Sequence, residues 1–214
     1  MATEQRSRLI VPVGERDHIE GPEGAPVTLV EYGDFECPYC RAALPVVQGL
    51  QDRLGTQIRV VFRHFPLRAA HPHAQRAAEA AEAAAAQGKF WEMHAHLFAH
   101  QDALYDANLI QYAGEISLDV ARFKRDLAMH SHAERVHADF ESGVASGVRG
   151  TPTFYLDGYR YDGPVGLREM LAAIWRAHPE VDGEANLRAE PLRIPRVVAT
   201  GKETLKFEGR RDGR

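Results

Sequence analysis

Along the chain, short apolar bursts alternate with longer segments that repeat at helical spacing. Val27 to Tyr32 mixes β-branched and apolar residues after the turn cluster Gly21-Pro22-Glu23-Gly24-Ala25-Pro26, which predicts a short buried strand. Leu44, Val47, Leu50 and Leu54 then recur near helical spacing over 41–54, and Gly55 ends that helix. Pro45 lacks the interior N–H and should kink it. Ile58 to Phe62 predicts a second strand, so that a β-α-β unit closes with a parallel pair.

From Leu67 to Val148 the pattern is helical. An Ala-dominated helix runs from His73 to Gln87 and stops at Gly88, its small side chains suited to close packing against a neighbour. Phe90, Trp91, Met93, His94, Leu97 and Phe98 mark an amphipathic segment, and three more follow over 104–113, 118–129 and 133–144. Ser117 is the expected N-cap of the second of these three. Thr153 to Leu156 then predicts a strand, Asp157-Gly158 a hairpin turn and Tyr159 to Tyr161 the returning strand. An amphipathic helix over 165–177 closes the pattern and Pro179 ends it. Residues 1–16 read as a loose, flexible arm and 179–214 as a tail with a small hairpin around Gly201-Lys202. The expected organisation is therefore a domain built from 17–66 and 148–178, interrupted by a helical insertion at 67–147.

Composition narrows the function classes. The 214 residues are 44% hydrophobic, ample for a core, and the net charge of −4 comes from dispersed groups of both signs. No electrostatic patch supports nucleic-acid or anionic-membrane binding. No apolar run approaches the roughly 20 residues of a membrane span. The N-terminal stretch has no continuous apolar core of the signal-peptide kind, so the expected compartment is the cytoplasm, where disulfides are usually transient and catalytic; a periplasmic or membrane-tethered protein is the alternative.

The only two cysteines stand in Asp34-Phe35-Glu36-Cys37-Pro38-Tyr39-Cys40-Arg41. A predicted strand leads in and a predicted helix follows, which is a redox-motif context for Cys-x-x-Cys. A thiol at a helix N-terminus meets free N–H groups and the positive end of the macrodipole, and both favour thiolate. Cys37 is thus the candidate nucleophile and Cys40, one turn on, the candidate resolving thiol. Pro38 suits the first helical turn. At this point a zinc half-site, a structural disulfide or two buried thiols are still open. Zinc normally needs four ligands and no second Cys-x-x-Cys exists; a disulfide closing so short a loop stabilises weakly.

Far downstream lies Gly147-Val148-Arg149-Gly150-Thr151-Pro152-Thr153-Phe154-Tyr155-Leu156. Together with the Cys-Pro-Tyr-Cys, it resembles the thioredoxin superfamily. Arg63-His64-Phe65-Pro66-Leu67, the Ala-rich helix and Gly88-Lys89-Phe90-Trp91-Glu92-Met93-His94 make the sequence similar to the DsbA-like branch, a domain type that occurs alone or attached to sodium/proton antiporters. The resemblance covers about residues 15 to 178. It implies an α/β, thioredoxin-like fold with an inserted helical domain, and a cis Thr151–Pro152 peptide facing the disulfide. The Thr151 backbone, Pro38 and Tyr39 would then meet an extended substrate. It also implies that Glu31, six residues before Cys37, is a buried acid relaying the proton of Cys40. A strand-edge carboxylate reaching solvent is the alternative for Glu31.

The expected activity is thiol–disulfide exchange with protein or peptide thiols, served by a redox recycling partner and using no organic, nucleotide or metal cofactor; a monomer is expected. The alternative is a redox-sensing or binding module of the same fold without turnover. DsbA has a basic His where Tyr39 stands, so weaker thiolate stabilisation and a less oxidising couple are expected here. The eleven histidines include His71-x-His73, His94-x-His96 and His130-x-His132 but no His-Glu-x-x-His, and solvated, helix-capping roles are expected for them.

Overall fold

The computed structural model describes residues 7–181. Five strands make one mixed sheet in the order β1-β3-β2-β4-β5: β1 (His18–Glu20), β2 (Val27–Gly33), β3 (Ile58–His64), β4 (Thr153–Leu156) and β5 (Tyr159–Tyr161). β2 and β3 run parallel in a register that sets Glu31 opposite Phe62. The helix α1 (Pro38–Leu54) joins them as the crossover. The other strand pairs are antiparallel. Asp157 and Gly158 turn the β4–β5 hairpin with φ of 50° and 80°, the pair of positive angles that a tight two-residue hairpin turn requires.

The two-residue period of β2 assigns its faces. Val27 and Leu29 pack with Ala43, Val47 and Leu50 of α1 and with Met170 and Ile174 of α7 (Leu167–Ala177). Val30 and Tyr32 point the other way, into a cluster with Val61, Phe65 and Tyr155 that Phe140 of α6 (Ala133–Ala145) covers. Glu31 therefore shares the α1 face with Leu29.

Five helices lie between β3 and β4: α2 (Ala74–Ala85), α3 (Phe90–Ala99), α4 (Asp106–Glu115), α5 (Val120–Ala128) and α6. α2 is their hub and touches the other four. Ala77, Ala80, Ala81 and Ala84 are fully buried, which lets neighbouring backbones approach closely. The apolar cluster of this insertion is continuous with Phe35, Cys37, Cys40 and Phe62, so it packs directly onto the cysteine segment. Among the described residues no helix is long and apolar enough to cross a membrane.

α1 continues past Pro45, which sits on its exposed side where solvent can serve the freed carbonyl. Three expectations change. The N-cap of α5 is Asp119, whose side chain accepts from the Arg122 N–H at 2.9 Å, while Ser117 takes a positive φ of 60° in the preceding turn. The N-terminal arm is not loose over its described part. Leu9 N–H donates to Gly158 O at 2.8 Å, and the buried Arg63 guanidinium donates to the carbonyls of Val11 and Pro12. Finally, His64, His94 and His96 are buried rather than solvated. His18 and His64 each bond Glu82 Oε1 through Nε2, at 2.7 and 2.9 Å. Their three ligating atoms lie within 4.8 Å of one another, the one cluster of metal-binding geometry among the described residues. Residues 1–6 and the expected hairpin around Gly201 lie outside the described residues.

Candidate active site

β2 ends at Gly33 and the chain turns at once into α1. Cys37 is the N-cap residue of that helix and Pro38 opens its first turn, so the Cys37 sulfur stands at the N-terminal, positive end of α1 without forming a side-chain cap. Across from it the Thr151–Pro152 peptide is cis. The Cys37 thiol donates to Thr151 O at 3.2 Å, and the residue is only 2% exposed. Both cysteines are free thiols in this structure. Tyr39, by contrast, projects into solvent with 73% of its surface exposed.

The two sulfurs are held in opposite protonation states. The Cys40 thiol donates to Cys37, which outweighs burial. The Thr151 hydroxyl and the N–H groups of Cys40 and Tyr39 add to this, and together they pull the Cys37 thiol down to about 5. Cys40 is completely buried. Burial, its bond to Cys37 and the Glu31 charge push its thiol far above the ordinary range, against one N–H donation from Asp34 at 3.4 Å. Glu31 lies beneath the pair at 3% exposure, and Oε1 has no hydrogen-bond partner among the described residues. Burial, reinforced by the charge on Cys37, pushes its carboxyl up to about 8. The structure thus brings Glu31, Cys37, Cys40, Thr151 and Pro152 together, with Pro38 at the helix opening and Tyr39 at the rim.

Four residues around the site were not singled out as site residues from the sequence. The Asp34 side chain is fully buried and accepts from the N–H groups of Glu36 (2.8 Å) and Leu67 (2.9 Å), while Asp34 O accepts from Cys37 N–H (3.1 Å). His71 Nδ1 lies 2.7 Å from Asp34 Oδ2. Burial disfavours the imidazolium, but the bond and charge of Asp34 outweigh it, helped by the charges of Cys37 and Glu36, and raise the His71 pKa. Gln101, just past α3, donates to the carbonyls of Phe35 and Cys37 at 2.8 Å each, and Glu36 accepts from His73 N–H at 2.6 Å. Asp34 was visible only as an acid after a strand. His71 and Gln101 are 37 and 64 residues from their partners, and no local pattern connects them.

Residues 14–176 match the family model described as Thioredoxin. The chain is 50% identical over 188 residues to Na(+)/H(+) antiporter NhaA 3 of Salinispora tropica, covering 87% of this chain and 28% of that protein. It is 47% identical over 160 residues to Na(+)/H(+) antiporter NhaA of Herminiimonas arsenicoxydans, covering 75% and 25%. The chain thus spans under a third of the length of these relatives. Among solved structures it is similar to a thioredoxin-like oxidoreductase from Silicibacter pomeroyi (30% identity, TM-score 0.67, covering 78% of this chain and 94% of that one). It is also similar to oxidised BdbD from Bacillus subtilis (21% identity, TM-score 0.71, covering 80% and 96%).

Proposed function

Because this chain belongs to the thioredoxin family and has the fold of its DsbA-like members, we propose that it is a thiol–disulfide oxidoreductase acting on protein thiols. The observation that carries the reading is the pairing of an N-cap sulfur pulled down to about 5 with a buried partner thiol held protonated. Only the thiolate attacks, and only a protonated partner stays inert until it is needed.

In the reducing direction the Cys37 thiolate attacks one sulfur of a substrate disulfide. That S–S bond breaks, a Cys37–substrate disulfide forms, and the other substrate sulfur leaves as a thiolate. The charge on Cys37 is now gone, and with it one of the two causes that keep Glu31 protonated. Glu31 then gives up its own proton to solvent or to the departing substrate thiolate and accepts the Cys40 proton. The Cys40 thiolate attacks Cys37 Sγ, the Cys37–Cys40 disulfide forms, and the second substrate sulfur leaves as a thiolate. In the oxidising direction a substrate thiolate attacks Cys37 Sγ of the internal disulfide, and Cys40 leaves and takes its proton from Glu31. No organic cofactor takes part; a dithiol protein would recycle the pair in the reducing direction, and a disulfide-bearing partner would re-oxidise it in the oxidising direction. An extended substrate pairing with the Thr151 backbone would displace the Cys37–Thr151 contact and uncover the sulfur.

That near-complete covering of Cys37 favours a second reading, a redox-sensing module without turnover. Insulin reduction with dithiothreitol separates the two. The expected result is catalysis by the parent, loss to background in Cys37→Ser, and a stable mixed disulfide at Cys37 in Cys40→Ser, identified by mass spectrometry. A Cys37→Ser variant as active as the parent would overturn the assignment. A Cys37 thiol at about 5 lies between the thioredoxin value of about 7 and the DsbA value of about 3.5. The expected potential is therefore between about −270 and about −120 mV, and a value in the lower half would suit the cytoplasm.

A further inference from the structure

Between α1 and α3 one face of the sheet is left unfilled. A cleft of about 380 Å³ opens there, a size that suits a small organic ligand. Strand register determines its floor. Glu31 pairs with Phe62 and Glu20 with Val60, and directly paired residues share a face of the sheet. Two carboxyl groups and two apolar side chains therefore point into the same space. Leu44 of α1 and Trp91 and Phe98 of α3 make the walls.

The floor lacks a donor. Glu31 is 3% exposed and its Oε1 has no hydrogen-bond partner among the described residues, an arrangement that costs free energy unless something in the cleft supplies an N–H. Glu20 has one donor, Gln51 Nε2 at 3.1 Å, and burial pushes its carboxyl up as well. His94, on the α3 side, is held neutral by burial, down to about 3, so it supplies no charge. The permanent cation among the lining residues is Arg41, which stands on the exposed surface of α1 at the mouth.

We infer that this cleft is a binding site for a small organic cation with an apolar body, whose primary ammonium donates to Glu31 Oε1 while its hydrocarbon part lies against Phe62, Trp91 and Phe98. The chemistry selects this class. A neutral apolar molecule would leave Glu31 unpartnered, and an anion would face two carboxyl groups. An ammonium ionises Glu31, pairs with it, and adds cation–π attraction from the aromatic wall. The inference does not depend on disulfide exchange, because it concerns equilibrium occupancy of the cleft.

The test is calorimetric titration of the reduced protein with three probes of similar shape: phenethylammonium, 2-phenylethanol and 3-phenylpropanoate. The ammonium should bind at least about tenfold more tightly than the alcohol, the scale of one charge-assisted hydrogen bond, and the carboxylate most weakly. Ammonium affinity should rise from about pH 6.5 to about 8.5, as Glu31 loses its proton without help from the ligand. Glu31→Gln should remove most of the ammonium's advantage over the alcohol, leaving what Glu20 supplies. Ala95→Phe, which fills the cleft from α3 and leaves both carboxyl groups in place, should abolish binding of both. In a Trp175→Phe background the emission of Trp91 should report the ammonium. Equal affinity for ammonium and alcohol, or ammonium binding unchanged in both Glu31→Gln and Ala95→Phe, would overturn the inference. A protein inert toward insulin can still pass this test, so the two readings fail separately.

Discussion

Glu31 and Arg63 stand on adjacent strands one register step apart, yet they are buried by opposite means. Arg63, 2% exposed, grips both oxygens of Asp17 at 2.7 and 2.9 Å and also donates to two carbonyls and to the Tyr32 hydroxyl. Burial alone would lower its affinity for a proton; these bonds more than reverse that. Glu31 has no such company and stays buried by holding its proton. The paired charge is locked across the accessible pH range. The unpaired acid is pushed up to about 8 and lies beside two thiols. The first arrangement ties the N-terminal segment to the sheet, and the second leaves a group free to react.

The largest effect should come from breaking the locked side. Arg63→Met strands the Asp17 carboxylate and two carbonyls and should cost about 3–5 kcal/mol of stability. Urea unfolding would show it, whereas thiolate absorbance of Cys37 in the folded protein should titrate as in the parent. A shift in that titration would mean that the two regions are coupled, and the contrast drawn above would fail.

Next in size is a pair of opposed pH slopes in the reduced protein. Glu31 binds its proton more tightly folded than unfolded, so between about 4.5 and about 8 it makes stability fall as pH rises, by up to about 1.4 kcal/mol per unit. Cys37 binds its proton more weakly folded than unfolded, so between about 5 and about 9 it makes stability rise with pH. The two nearly cancel in the parent between pH 6.5 and 8, a window above the titration of buried His94. Relative to the parent, Cys37→Ser should lose stability as pH rises through that window, and Glu31→Gln should gain it. Urea midpoints at three pH values would decide. Parallel curves for both variants would mean that neither group is shifted as described.

The smallest effect concerns His71. His71→Asn retains an N–H donor for Asp34 Oδ2 and removes the positive charge. The Cys37 titration should move up by less than about one unit, consistent with roughly 1 kcal/mol for a partly exposed charge. If His71→Asn titrates like the parent while His71→Ala does not, His71 serves only to hold Asp34 in place.

Elements whose cause is local were legible in the sequence. The β4–β5 hairpin falls on the expected residues because Asp157-Gly158 carries its own turn geometry. β2, α1, β3 and their parallel pairing follow from apolar periodicity and the length of the crossover. The two cysteines marked the site because a helix N-terminus acts on its own first residues. Register within a segment was harder to read. Ser117 and Asp119 are both good caps, and only the turn that gives Ser117 a positive φ decides for Asp119. The three-residue strand β1 was not seen, since so short a strand exists by pairing with β3 rather than by its own pattern. The same holds for the bonds of His71 to Asp34, Gln101 to Cys37 and His18 to Glu82, which join groups 37 to 64 residues apart. By itself the sequence determined where the two thiols sit, at the start of a helix that follows a strand. Tertiary structure alone decided which buried charge is paired and which keeps its proton, because a carboxyl group's protonation depends on which donors the fold brings within hydrogen-bond distance.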